Sequence, residues 1–406
     1  MSSMSLLSQL NLRLTVELLV FLSVFTQICS AWTAKWIDLD LDVGSSISPP
    51  RSGHVAFGLD ENIYVFGGYA EDSDTSSRYP TNDLWCFGDG DERGWTLVKH
   101  KSSSEPQPRL AAAAVSCKLG DTTTGIVLGG WDSQEEGSGG VILKDILLFS
   151  SKSGDGGSWK EFPTDLKEPT SRLCAVPLVD KTSPSPESKV LIHNHRCLDH
   201  ILLLDLETSK IIKQSVSGTV PSARGLHSIV QLPGTTKILL FGGAAQNGLM
   251  SNEVFVLDTK TWIWENCSPQ DTENNVKAAP IPRASPCLVA LDEKSCILFG
   301  GASRSDAGLH GCSDTWLLEL VEGATNDGSS TTTKAKWTQL NEDKSTQAPP
   351  GRNAATLTPI LSKSLSIGGD TDENNKKNTH YFLLSGGWYP FRNTYSDNFV
   401  LKVTKN

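Results

Sequence analysis

Apolar and polar positions in this chain follow a short, repeating beat. Ile63-Tyr-Val-Phe66 runs into Gly67-Gly68, Val127-Leu128 into Gly129-Gly130, Leu240-Phe241 into Gly242-Gly243, Leu298-Phe299 into Gly300-Gly301, and Leu384-Ser385 into Gly386-Gly387. Runs this short, bounded by glycine and proline, predict strands rather than helices. An arginine-led strand precedes each run, opening at Arg51, Arg109, Arg172, Arg224, Arg283 and Arg352. A polar loop and a third strand follow, such as Asn252-Glu-Val-Phe-Val-Leu-Asp258, and then a fourth strand that opens on Trp95, Trp159, Trp264 or Trp337. The unit therefore holds four strands and recurs six times.

Each recurring residue has a physical task. Paired glycines let the chain leave a packed strand through conformations closed to other residues, and let neighbouring backbone approach. The tryptophan supplies apolar area between units that touch only their neighbours. In diglycine, later aromatic strand and tryptophan, five copies resemble the kelch repeat, and the resemblance spans residues 32–406. It implies an all-β fold, a six-bladed kelch β-propeller. The third copy departs from the pattern, with Val190-Leu-Ile-His-Asn-His195 in place of the glycine pair and Lys210-Ile-Ile-Lys213 in place of the tryptophan. The sixth copy ends at Ser396-Asp-Asn-Phe-Val-Leu-Lys402 without its fourth strand, whereas a surplus Trp36 stands near the start. The segment 32–41 is expected to supply the missing strand, so that the ring is closed by an N-terminal strand and no sheet edge is left free. Polar insertions at 322–334 and 362–378 read as exposed loops.

Residues 1–31 are of another kind. The apolar run 18–28, followed by Cys29-Ser30-Ala31, has the length and small-residue end of a signal peptide cleaved before Trp32. A secreted or lumenal protein is the expectation, with eight cysteines remaining, an even number that permits disulfides without fixing their pairing. Asn266-Cys267-Ser268 is a glycosylation sequon, making Asn266 the acceptor. The formal net charge is −10, from 36 basic and 46 acidic residues. An acidic surface argues against nucleic acid and against anionic membranes as partners.

Function is expected in the variable loops that follow the second strands. They carry Tyr69, Arg78 and Tyr79, then Trp131, then Trp388, Tyr389, Phe391 and Arg392. Aromatic residues and arginine in one short loop have the make-up of an interface anchor or a sugar-stacking platform. The kelch resemblance places the six arginines on innermost strands, where they either hold the architecture or offer an anion site at the channel mouth. His193 and His195 are weak metal candidates, two apart on a strand but without a third ligand. Asp306 and His310 match half of the iron motif of plant specifier proteins, but Ala302 stands where its glutamate belongs. The expectation is a monomeric, non-catalytic binding module for a protein or glycan, with no cofactor. The alternative is a kelch-type enzyme acting at the channel mouth.

Overall fold

Every regular element among the described residues is a β-strand. The computed structural model describes residues 32–39 and 48–406, except 73, 89–93, 100–104, 121, 135–138, 152–155, 180–187, 270–278, 325–330, 341–347 and 361–377. The expected leader, the centre of the first expected insertion (325–330) and all but the last residue of the second lie outside the described residues. The rest of 322–334 is paired strand rather than loop: Thr315–Ala324 and Thr331–Gln339 run on antiparallel, with Glu322 opposite Thr333 and Ala324 opposite Thr331. The strands form six antiparallel sheets, one per repeat, each with four principal strands, and smaller hairpins stand beside them. In the first sheet Val55–Leu59, Asn62–Phe66, Leu84–Gly88 and Gly94–Leu97 pair in chain order. Cys174–Leu178, Lys189–His193, His200–Asp205 and Lys210–Ser215 do the same in the third.

The sixth sheet is assembled from both ends of the chain. Thr356–Pro359, Thr379–Ser385 and Asn398–Lys405 are joined on the outside by Trp32–Asp38. Trp32 pairs with Lys405 and Trp36 with Leu401, so the strands match over their full overlap. Trp36 is fully buried 4.6 Å from the Phe299 ring of the fifth sheet, and its indole N–H donates to Thr315 Oγ1 at 3.1 Å.

Packing follows the same order. Buried side chains fall into six clusters, each shared by two successive sheets. One of them joins Ile63, Val65, Phe87 and Trp95 of the first sheet to Leu383 and Val400 of the last. The innermost strands touch in sequence, and the strand Thr356–Pro359 also touches Val55–Leu59.

Two sets of backbone hydrogen bonds tie the sheets near the start of these inner strands. In one set, the amide of the second glycine reaches the next repeat: Gly68 donates to Arg109 O, Gly130 to Thr170 O, Gly243 to Arg283 O, Gly301 to Arg352 O and Gly387 to Arg51 O. This contact explains the diglycine, because a Cβ on Gly67 would lie 2.6 Å from Arg109 O, and φ there is +68°. It also corrects the register of the third repeat. The residue in the arginine position is Thr170, and Arg172 lies two residues further on.

The second set is a ring of six residues, Gly53, Ala111, Arg172, Leu226, Ser285 and Ala354. Each amide donates to the carbonyl of the preceding member, and Gly53 donates to Ala354 O, with distances of 2.7 to 3.3 Å. All six hold positive φ, between 49° and 67°. Only one of them is glycine, so five carry a local backbone cost that the mutual bonding must offset.

Candidate functional site

Five of the six candidate arginines are fixed by the architecture. Arg51, Arg109, Arg224, Arg283 and Arg352 are at most 3 % exposed. In each, Nη1 donates to the carbonyl of the first glycine of its own repeat. Each also meets an acid: Asp83, Glu253, Asp314 and Asp397 directly before the third strand, and Asp145 within it. Four of these pairs are two-pronged, the arrangement a planar guanidinium favours. Burial alone would raise the Asp83 and Asp314 carboxyls, but hydrogen bonds and charge from Arg51 and Arg283 hold them below the usual range.

The third repeat replaces the whole constellation. Thr170 stands for the arginine, Asn194 and His195 for the glycines, and Ile211 for the fourth-strand tryptophan. His200 takes the position of the acid. Arg196 fills part of the gap, donating to Thr170 Oγ1 at 3.3 Å and pairing with Glu168 at 3.0 Å.

Inside the ring, at the end where the inner strands begin, lies a cavity of about 610 Å³. Its floor includes the ring residues and their successors, and its wall is aromatic: Tyr69, Trp131 and Trp388. Two arginines line it. Arg78 packs 4.8 Å from the Tyr69 ring and 5.2 Å from that of Trp388, donates to Ser52 Oγ at 2.9 Å, and has Glu71 at 3.8 Å. Arg172 is exposed, with no side-chain partner among the described residues. None of the lining residues is Asp or Glu. The buried side-chain oxygen Oδ1 of Asn353, also in the lining, has no hydrogen-bond partner.

The other candidates distribute around this mouth. Trp388 links the cavity to the rim, where Phe391 meets it edge-on at 5.4 Å and is 81 % exposed. Tyr389 and Arg392 pack on one another at 5.4 Å and are not among the lining residues. His193 and His195 are not presented as a pair, because the strand ends at His193. His193 is buried, with Nδ1 3.0 Å from Nε2 of His227, whereas His195 is half-buried beyond the strand. Among the described residues no group of three or more His, Cys, Asp or Glu could hold a metal. Asn266 is half-buried at the end of its strand and its Oδ1 accepts from the Ser268 amide. The eight described cysteines stand as free thiols, six of them buried. Burial pushes the Cys174 and Cys287 thiols up to about 12, away from reactive thiolate.

Three buried imidazoles give the fold an acid limit. Burial, aided by the charge of Arg51, lowers His54 from 6.5 to about 3, and burial drives His193 and His227 down as well. The unfolded chain protonates them near 6.5 and the folded one far lower, so the unfolded state binds more protons in between. Stability therefore falls as pH drops from about 6.5 towards 3. The urea midpoint is expected to fall across that window, with a shallower slope in His54→Gln; identical slopes would remove His54 from the account.

Sequence comparisons agree with the repeat. The model of the KLHDC2/KLHL20/DRC7 Kelch-repeats domain matches residues 191–396. The chain belongs to the kelch-repeat family. Adagio-like protein 1 of Oryza sativa subsp. japonica is 27% identical over 356 residues, covering 82% of this chain and 49% of that protein. Kelch domain-containing protein 1 of Mus musculus is 24% identical over 301 residues, 68% of each. The kelch chain thus spans about half the length of the first of these relatives. The solved structure of YjhT superimposes with a TM-score of 0.55 at 15% identity, over 87% of this chain and 95% of that one. The fold is a kelch β-propeller.

Proposed function

We propose that this kelch propeller is a non-catalytic protein-interaction module that receives an acidic segment of a partner in its channel mouth. The observation that carries this reading is the lining: two arginines and three aromatic side chains, no carboxylate, in a chain of net charge −10. Cation and aromatic wall together suit an acidic peptide that also bears an apolar side chain. Rim residues Phe391 and Tyr389 extend the contact beyond the mouth.

The rigid frame behind the mouth is, on our reading, a ring of six blades closed by the N-terminal strand. The cyclic set of ring hydrogen bonds and the six inter-sheet clusters support it. We assign the protein to the secretory pathway on the strength of the apolar run 18–28. Cleavage before Trp32 would leave the outer strand Trp32–Asp38 whole, and Edman sequencing of the mature protein is expected to start at Trp32.

The binding reading is tested on a peptide array of acidic, neutral and basic sequences. Acidic peptides containing an aromatic residue should bind, more weakly as salt rises. Arg172→Gln should cost about 1.5–3 kcal/mol, the range for a hydrogen bond to a charged group. The triple variant Trp388→Ala, Tyr389→Ala, Arg392→Ala should lose most of the remaining affinity. Equal binding of basic peptides, or preference for a glycan array over every peptide, would overturn the proposal.

A further inference from the structure

The mouth breaks its own pattern at one ring position, and the neighbouring repeat breaks it in return. Gly53, Ala111, Leu226, Ser285 and Ala354 bring no charge to the ring, whereas Arg172 brings a full cation. The residues that immediately precede the six are Ser52, Leu110, Ser171, Gly225, Ala284 and Asn353. One of them is glycine, and it stands in the repeat next to Arg172.

Backbone conformation does not require that glycine. Gly225 is absent from the positive-φ residues, so any side chain suits its dihedral angles. Space favours it. A Cβ on Gly225 would lie 3.2 Å from Arg172 Cβ and 3.3 Å from Arg172 O, with Arg172 Cδ at 3.9 Å. The stem of the arginine runs along the bare face of Gly225. These are contacts at the tight edge of ordinary packing, so an added methyl group displaces the arginine or strains the ring bond from the Leu226 amide to Arg172 O, already 3.3 Å long.

We propose that Gly225 is a positioning residue for Arg172: it keeps open the lane in which the arginine side chain reaches the mouth. The idea rests on the reading of the mouth as a site for acidic segments, but its first test needs no ligand. Phenylglyoxal labelling mapped by mass spectrometry should modify Arg172 readily in the wild type and leave the five buried arginines protected. In Gly225→Ala the rate at Arg172 should shift by roughly threefold or more, the scale of a coupling between contacting residues, with the rate at exposed Arg392 unchanged. An unaltered rate at Arg172 would sink the positioning role.

Melting temperatures provide the second measurement. Gly225→Ala should lower the midpoint in the wild type and lower it less in an Arg172→Gly background, where the nearest atom has been removed. Should Gly225→Ala alone fail to fold, the double variant should still fold; an equal loss in both backgrounds overturns the proposal. The third arm uses hexaglutamate as the probe. Arg172→Gln and Gly225→Ala should each weaken its binding about tenfold, the fold-change of one charge-assisted hydrogen bond. Loss in Arg172→Gln with none in Gly225→Ala contradicts the positioning role. Failure of the wild type to bind hexaglutamate contradicts the acidic-segment reading instead, and labelling and melting still decide the role of Gly225.

Discussion

Deleting Trp32–Asp38 is expected to abolish cooperative unfolding, and Trp36→Ala alone to cost about 3–5 kcal/mol, the range for truncating a buried large aromatic. Two losses combine in the deletion. The strand Asn398–Lys405 loses its outer partner along its whole length, leaving an open edge on the last sheet. The wedge between the fifth and sixth sheets loses Trp32, Ala34 and Trp36 from a cluster that also holds Phe299, Leu317, Phe382 and Phe399. Trp36 contributes more than area, because its indole N–H donates to Thr315 Oγ1 of the neighbouring sheet and deletion removes that bond. Urea unfolding of the full chain and of the two variants, followed by tryptophan fluorescence, reads the result. A deletion variant with the full chain's midpoint would remove the N-terminal strand from the fold's essential parts.

The second large effect separates two kinds of arginine. Arg352→Met should destabilise by about 3–5 kcal/mol, because it strands Asp397 and the carbonyls the guanidinium served. Those are Pro350 O at 3.1 Å, Gly386 O at 2.9 Å and both carboxylate oxygens of Asp397. The guanidinium also lies 4.0 Å from the Tyr395 ring, so stacking is lost as well. Arg172→Gln should stay within about 0.5 kcal/mol of the wild type, as a substitution at an exposed site without a partner does. Paired denaturation curves check the contrast, and equal losses in the two variants would show that Arg172 too belongs to the frame.

The architecture was legible because its signals are local. A glycine pair after an apolar run, a tryptophan at a fixed later point and a surplus Trp36 are all read along the chain, and the strands fall where they indicate. The site was less legible, since its signals are not local. Pro169 and Arg172 imitate the proline-arginine openings of the other repeats, yet the diglycine hydrogen bond of the second repeat lands on Thr170. No alternation of apolar and polar residues reveals a two-residue slip of that sort. Arg78 and Trp388 belong to opposite ends of the sequence, so their stacking exists only once the first and last sheets are neighbours. Gly225 looks like any glycine until Arg172 is seen beside it. The departure of the third repeat was visible as a lapse, but its correlated changes at Thr170 and His200 needed the register.

The sixth sheet also sets a timetable for the molecule's making. Thr33 bonds to Thr404 across a sequence separation of 371 residues. Synthesis reaches the N-terminal strand long before its partner, so Trp32–Asp38 waits until Asn398–Lys405 has been made without its place in a sheet. During that interval the growing chain resembles an open arc with apolar edges, the condition in which chaperones bind and strand-exchanged dimers arise. Premature termination before residue 398 would therefore leave Trp32–Asp38 without its pairing strand and the sixth sheet with half its strands.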